Sequence, residues 1–241
     1  MEERLQKIIE ESQRVVFFGG AGVSTESNIP DFRSEKGLYH AKQMYGYSPE
    51  TMLSSDFFYR NTALFFDYYK DNLIYLDAEP NDAHKALAKL EQEGKLTAIV
   101  TQNIDGLHQK AGSKTVYELH GSVMRNYCRK CGKFFDVHYI MDERNCRDRI
   151  PYCDACGGMV KPDVVLYGEM LDDDTVNKAV RAIAEADTLI IGGTSLVVYP
   201  AAGLINYFRG KHLVLINKTE TPYDSRADLT IYDSIGKVMK Y

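Results

Sequence analysis

The sequence predicts an α/β protein: a mostly parallel sheet with helices on both faces, plus a second, smaller domain. Three observations carry this. Short apolar runs without polar alternation recur along the chain, as strands buried on both faces require. Helical patterns lie between several of them. Two stretches, 34–80 and 123–162, break that rhythm and read as insertions. The 241 residues suit one domain of roughly 200–250 residues, or a large domain with a small insertion.

Leu5, Ile8 and Ile9 stand at helical spacing and predict a first helix over 4–14. It feeds Val15-Val16-Phe17-Phe18, a buried strand, and then Gly19-Gly20-Ala21-Gly22, with Val23-Ser24-Thr25 as a helix start. Further buried strands are expected at 96–100, 164–166, 188–191, 212–216 and 229–232, and helices at 83–92, capped by Asn81-Asp82, and at 174–186. The stretch 34–80 is rich in tyrosine and phenylalanine and shows no strand; 123–162 holds all five cysteines. The uncharged run 188–208 contains Gly192, Gly193, Thr194, Ser195, Pro200 and Asn206, and so reads as strand, loop and helix start in place of a membrane span.

Composition excludes several classes. Apolar residues make up 44% of the chain, which rules out intrinsic disorder. The net charge of −5 and a pI near 5.7 argue against a protein that lives on nucleic-acid phosphates. The first residues lack a basic region followed by an apolar one, so no signal peptide is expected. An odd number of cysteines, five, disfavours a disulfide framework. The expectation is a cytoplasmic protein with neither nucleic acid nor membrane as partner; the oligomeric state stays open.

Cys128-Arg129-Lys130-Cys131 and Cys153-Asp154-Ala155-Cys156 are two C-x-x-C knuckles separated by 21 residues, each followed by glycine. Four thiolates at this spacing make a closed tetrahedral Zn²⁺ site, and a complete sulfur shell leaves no position for catalysis. Cys146 is left over as an ordinary thiol. The Gly20-Ala21-Gly22 turn lets backbone amides approach a pyrophosphate, yet it lacks the compact βαβ unit of about 30 residues that a dehydrogenase needs. A dinucleotide is compatible with it; a hydride-transfer layout is absent.

Polar strings follow apolar runs at Thr101-Gln102-Asn103-Ile104-Asp105, Glu118-Leu119-His120-Gly121-Ser122 and Gly193-Thr194-Ser195-Leu196, where open α/β sheets place ligands. Together with Gly20-Ala21-Gly22-Val23-Ser24-Thr25, Ile29-Pro30-Asp31-Phe32-Arg33, Gly106-Leu107-His108, the cysteine pairs and Tyr167-Gly168-Glu169, they resemble the sirtuin family of NAD-dependent protein-lysine deacylases. The match runs in order from about residue 12 to residue 236. It is nearest to the short bacterial and archaeal members.

The resemblance implies a Rossmann-like large domain (1–33, 81–122 and 163–241) and a small domain built from a helical module (34–80) and a zinc module (123–162), with NAD between them. Carried over by position, Ala21, Thr25, Phe32, Arg33, Gln102 and His120 would contact the phosphates, ribose and nicotinamide end. Ile104 and Asp105 would line the nicotinamide pocket, and Thr194, Ser195, Asn217 and Ile235 would hold the adenosine half. Val164-Val165-Leu166-Tyr167-Gly168-Glu169 would offer a strand edge to an extended acetyl-lysine peptide. The family cleaves nicotinamide from ribose while the acyl oxygen attacks the sugar, and a histidine then takes a proton from a ribose hydroxyl. Imidazole suits that work near neutral pH, so His120 is the expected base, with Asn103 orienting ribose or water. The implied products are deacetylated lysine, nicotinamide and 2′-O-acetyl-ADP-ribose.

The chain departs from the family at two marked points: Asn28 replaces a glycine, a change asparagine tolerates in left-handed backbone, and Tyr167 replaces a phenylalanine. Tyr68 and Tyr69 come without the arginine that relatives acting on acidic acyl groups carry, which favours deacetylation over desuccinylation. Competing readings are a mono-ADP-ribosyltransferase or a deacylase for other acyl groups in the same cleft, a zinc-ribbon binding module and a dehydrogenase. His84, His108, His40, His138 and His212 are read as structural.

Overall fold

The computed structural model describes residues 1–31 and 41–240. Six strands, all parallel, form the main sheet: β1 (Val15–Gly19), β2 (Leu96–Thr101), β3 (Val116–Glu118), β9 (Thr188–Gly192), β10 (His212–Ile216) and β11 (Leu229–Ile231). Their spatial order is β11-β10-β9-β1-β2-β3. The order reverses between β1 and β9, so a crevice opens beyond the carboxyl ends of those two strands.

Alternation along β1 explains why the run Val15 to Phe18 is apolar throughout. Val15 and Phe17 pack with helices Glu3–Glu11, Asp82–Gln92 and Ile235–Met239 on one face. Val16 and Phe18 pack with helix Asp173–Glu185 and the 3₁₀ turn Ala201–Tyr207 on the other. Each phenylalanine is fully buried, worth roughly 2–3 kcal/mol of apolar transfer.

The smaller unit is antiparallel. Strands β4 (Gly121–Cys128), β5 (Phe134–Asp136) and β8 (Val160–Val164) form one sheet in the order β5-β4-β8, and β6 (Cys146–Arg147) pairs with β7 (Ile150–Pro151). Helices Pro49–Met52, Ser55–Arg60 and Thr62–Asn72 share one core with this sheet: Phe57, Phe58, Phe65, Phe66 and Tyr69 meet Val123, Phe135, Val160 and Val164. Phe58 and Phe65 lie edge to face at 4.8 Å, and Phe65 stacks on Tyr69 at 5.4 Å, geometries that add to area burial. No helix among the described residues is long and apolar enough to cross a membrane.

Two expectations need correction, and one strand of the sheet carries no sequence signal. The segment 164–166 is not a strand of the main sheet: β8 ends at Val164, and residues 165 and 166 continue as irregular chain. The strand that takes the outer position is β3, whose half-buried Val116-Tyr117-Glu118 lacks the apolar run that marks buried strands. After the glycine turn the chain makes two 3₁₀ turns, Ala21–Val23 and Thr25–Ser27, with no α-helix between them and Asn28. Asn28 closes them at φ 62°, the left-handed conformation expected of it.

Helix Asp82–Gln92 is tied to those turns. Asn81 caps it, and its Nδ2 donates to the Val23 carbonyl (2.8 Å) and Ser27 Oγ (2.9 Å). His84 takes the place that Glu or Gln fills in most capping boxes, its Nδ1 accepting from the Asn81 N–H at 3.3 Å. Its ring meets His108 edge-on at 4.8 Å, and both are fully buried. Burial lowers the His84 pKa to about 4; burial, and then His84, hold His108 well below the ordinary value. A histidine with a lowered folded pKa binds its proton more readily when unfolded. Stability is therefore full above pH 6.5 and falls as pH drops from 6.5 toward about 4. His84 alone should account for about 3 kcal/mol of that loss. Urea unfolding across this range checks it: His84→Gln, which keeps the cap, should lose stability less steeply, by about one proton. Equal slopes would contradict the assignment.

Candidate active site

The crevice beyond β1 and β9 is closed by backbone on both sides. The Gly22 N–H donates to the Gly193 carbonyl at 2.8 Å, and a Cβ on Gly22 would lie 2.7 Å from the Gly193 Cα. Gly193 has φ 59°, which favours glycine. Thr194 packs against Gly20, where a Cβ would come within 2.7 Å of the threonine Cβ.

From there the cleft runs toward the smaller unit as a cavity of about 210 Å³. Ala21, Gln102, Asn103, Ile104, Asp105 and His120 all line it, with Val165, Leu166 and Tyr167 on its far wall. Thr101 Oγ1 accepts from the Asn103 N–H at 3.0 Å and turns the chain out of β2. Asn103 Nδ2 then donates to Ser24 Oγ (3.1 Å), and that hydroxyl donates to Asp105 Oδ2 (2.7 Å). The other carboxylate oxygen accepts from the Leu107 N–H at 2.9 Å. Burial pushes the Asp105 pKa up, opposed by the Leu107 and Ser24 hydrogen bonds. Ser24 thus locks two of the expected residues together. The sequence reading did not single it out, although it lies within the glycine-turn motif.

His120 stands where β3 hands over to β4, and its Nδ1 sits 2.9 Å from the Gln102 carbonyl. A carbonyl only accepts, so Nδ1 carries the hydrogen and Nε2 is the basic nitrogen. The next residue, Gly121, has φ 73°, and a Cβ there would meet the Asp163 carbonyl oxygen at 1.9 Å. That close approach clamps β4 on β8 and sets His120 beside Val165, whose N–H donates to the His120 carbonyl at 3.0 Å.

The remaining expected residues lie at the edge of the cleft or outside it. Thr25 Oγ1 donates to the Gly22 carbonyl. Thr194 is buried and Ser195 exposed after β9; Asn217 follows β10, its amide donating to the Thr219 carbonyl. Ile235 lies in the core against Gly192 and Phe17. Phe32, Arg33 and His40 lie outside the described residues.

The residues present fit both NAD and zinc. Gln102 Nε2 is buried in the cleft wall without a partner among the described residues, a donor that a ribose or phosphate oxygen would satisfy. The four cysteine Sγ atoms lie within 4.8 Å of one another, with Cys128–Cys156 at 3.4 Å and Cys131–Cys153 at 3.7 Å. A tetrahedron of 2.3 Å zinc–sulfur bonds needs about 3.8 Å, and a disulfide is far shorter. Gly158 allows this closure, since a Cβ there would lie 2.9 Å from Cys128 Sγ. Cys146 lies apart from the cluster, its Sγ 3.3 Å from the buried Lys70 ammonium.

The sequence pattern of the Sir2 family matches residues 20–200. An NAD-dependent protein deacetylase of Clostridium acetobutylicum is 64% identical over 236 residues, covering 98% of this chain and 95% of the relative. A solved Sir2 complex with p53 peptide and NAD⁺ superposes with a TM-score of 0.88 at 38% identity, covering 99% of this chain and 95% of that one. A Sir2 complex with an inhibitor, 2′-O-acetyl-ADP-ribose and deacetylated p53 peptide gives 0.84 at 37% identity, covering 98% and 95%. The chain belongs to the Sir2 family, whose fold it carries in full.

Because the sulfur cluster staples β4 to the chain leading into β8, metal loss should act on folding. Cys128→Ser should abolish bound zinc and lower the melting temperature by at least about 5 °C. Atomic absorption and a thermal melt check this; a zinc-free wild type with the same melting point would refute it.

Proposed function

We infer that this chain is an NAD-dependent protein-lysine deacetylase that releases nicotinamide and 2′-O-acetyl-ADP-ribose. One observation carries the reading: an imidazole with a fixed tautomer lies in the same cleft as a part-buried carboxylate, facing an irregular segment with a carbonyl to spare. When bound, NAD supplies the bond from ribose to nicotinamide, whose cleavage opens the sugar to the acyl oxygen.

The chain's own residues have separable tasks in this proposal. Asp105 uses its remaining lone pairs to accept from the nicotinamide amide, and Ile104 gives that pocket an apolar wall. Asn103, held by Ser24, orients the ribose or a water. His120 Nε2 takes a proton from a ribose hydroxyl, while the Gln102 carbonyl holds the other ring nitrogen and favours the imidazolium that results. Ala21, Thr25, Gln102, Phe32 and Arg33 hold the phosphates and ribose; Thr194, Ser195, Asn217 and Ile235 are assigned to the adenosine half. The domain division at 33/34, 80/81, 122/123 and 162/163 is proposed on the same ground, with the cleft as its seam.

An acetylated peptide is placed along 164–169. The carbonyls of Val164, Leu166 and Tyr167 accept from Lys161 Nζ, Glu169 N–H and Ser55 N–H. Among the described residues the Val165 carbonyl accepts no backbone hydrogen bond, and it is left to accept from the substrate lysine amide.

Mass spectrometry of products from NAD and an acetyl-lysine peptide tests the reading: ADP-ribose should leave on the acetyl group and not on protein. His120→Ala should lower kcat by about 10²–10⁴, the usual worth of a general base, with its melting temperature kept; near-normal turnover would sink the assignment. Acyl preference follows from the lining. Among the described residues the cleft is lined by Asp105 and Glu169 and by no lysine or arginine. A succinyl-lysine peptide should therefore turn over at least about tenfold more slowly than its acetyl counterpart, for want of a cationic partner other than Arg33, which is assigned to the phosphates. Equal kcat/KM values would contradict this.

A further inference from the structure

Lys161 lies on β8, just past the second cysteine pair, yet its ammonium is almost buried, the side chain only 11% exposed. It reaches across to Glu169 Oε2 (3.2 Å) and to the Val164 carbonyl (3.2 Å), with the Pro162 carbonyl at 3.4 Å. The same Glu169 oxygen accepts the Leu166 N–H at 2.9 Å, and the Glu169 N–H donates back to the Leu166 carbonyl at 2.9 Å. Phe58, from the helical segment, lies under the ammonium at 5.8 Å. One lysine therefore touches the strand leaving the cysteine cluster, the aromatic core and both ends of the segment 164–169.

Beyond Val164, where the β8 ladder ends, that segment has no regular ladder to hold its shape. Its fixed points are Val165 N–H on His120, Tyr167 N–H on the Leu53 carbonyl and Tyr167 carbonyl on Ser55 N–H, together with the Lys161–Glu169 pair. The pair, together with the Glu169 N–H bond to the Leu166 carbonyl, closes the segment onto itself by gripping Val164 at one end and Leu166 and Glu169 at the other. Hydrogen bonds to charged groups in partly buried sites are stronger than neutral ones.

We propose that Lys161 and Glu169 are positioning residues for the peptide substrate: they hold residues 164 to 169 in the form that turns the Val165 carbonyl to the cleft. This rests on the peptide reading given above. Neither residue touches the reacting atoms, so their loss acts on peptide binding and leaves the chemistry and the NAD end in place.

The test uses the zinc-loaded full chain, steady-state kinetics with an acetyl-lysine peptide, and anisotropy of that peptide carrying a fluorophore. Lys161→Met, which keeps the apolar stem over Phe58, and Glu169→Ala should each raise the peptide KM and Kd about tenfold. The kcat at saturating peptide and the KM for NAD should stay within about twofold, and Lys161→Arg should restore the peptide KM. If Glu169→Ala fails to fold, Glu169→Gln carries the test: it keeps an oxygen for the Leu166 N–H and loses the charge, with an expected rise of about threefold. An unchanged peptide KM in the folded variants would overturn the proposal, as would kcat and the NAD KM moving together with it. Failure of the wild type to bind the peptide would instead defeat the docking reading itself, and the proposal with it.

Discussion

Where β1 and β9 end, two turns of backbone lie closer together than any side chain allows. The Gly22 N–H bonds the Gly193 carbonyl at 2.8 Å, and side chains are barred at Gly20, Gly22 and Gly193 by contacts of 2.4–2.7 Å. This contact fixes the mouth of the crevice, because each turn is the direct continuation of a buried parallel strand. With the turns so close, Thr194 is pressed against Gly20, and Ser24 falls where its hydroxyl can reach Asp105. A cleft floor made of main chain is rigid and admits a ligand's backbone-like groups at short range.

The opposite wall depends on a different kind of close approach. β4 and β8 cross at Gly121, and the hydrogen bond from Val165 N–H to the His120 carbonyl links the imidazole's own residue to the segment facing it. Displacing either strand moves both walls. The cysteine cluster lies at the far ends of the same two strands, so its influence on the cleft runs through β-sheet geometry over several residues, without contact with the cavity.

Much of this was legible in the sequence, for reasons that can be named. Strands buried on both faces must be apolar throughout, so β1, β2, β9 and β10 stand out. Two C-x-x-C knuckles announce their own geometry, because metal–ligand distances allow few spacings. The strings around Asn103, Asp105 and His120 were visible as polar groups stranded after apolar runs. β3 was not, because an edge strand half exposed to solvent carries no apolar signature. Nor was the departure of residues 165 and 166 from the sheet, since Val165 and Leu166 look the same in a strand as beside a cleft.

The sequence by itself determined the parallel α/β frame, the cysteine cluster and the side chains offered to the crevice, because periodicity and spacing are local properties of the chain. Only the tertiary structure decided which nitrogen of His120 carries the hydrogen, that Ser24 joins Asn103 to Asp105, and that Lys161 closes on Glu169. Each depends on atoms distant in sequence arriving within about 3 Å of one another, and hydrogen-bond strength falls away too steeply with distance and angle for pattern to foretell it.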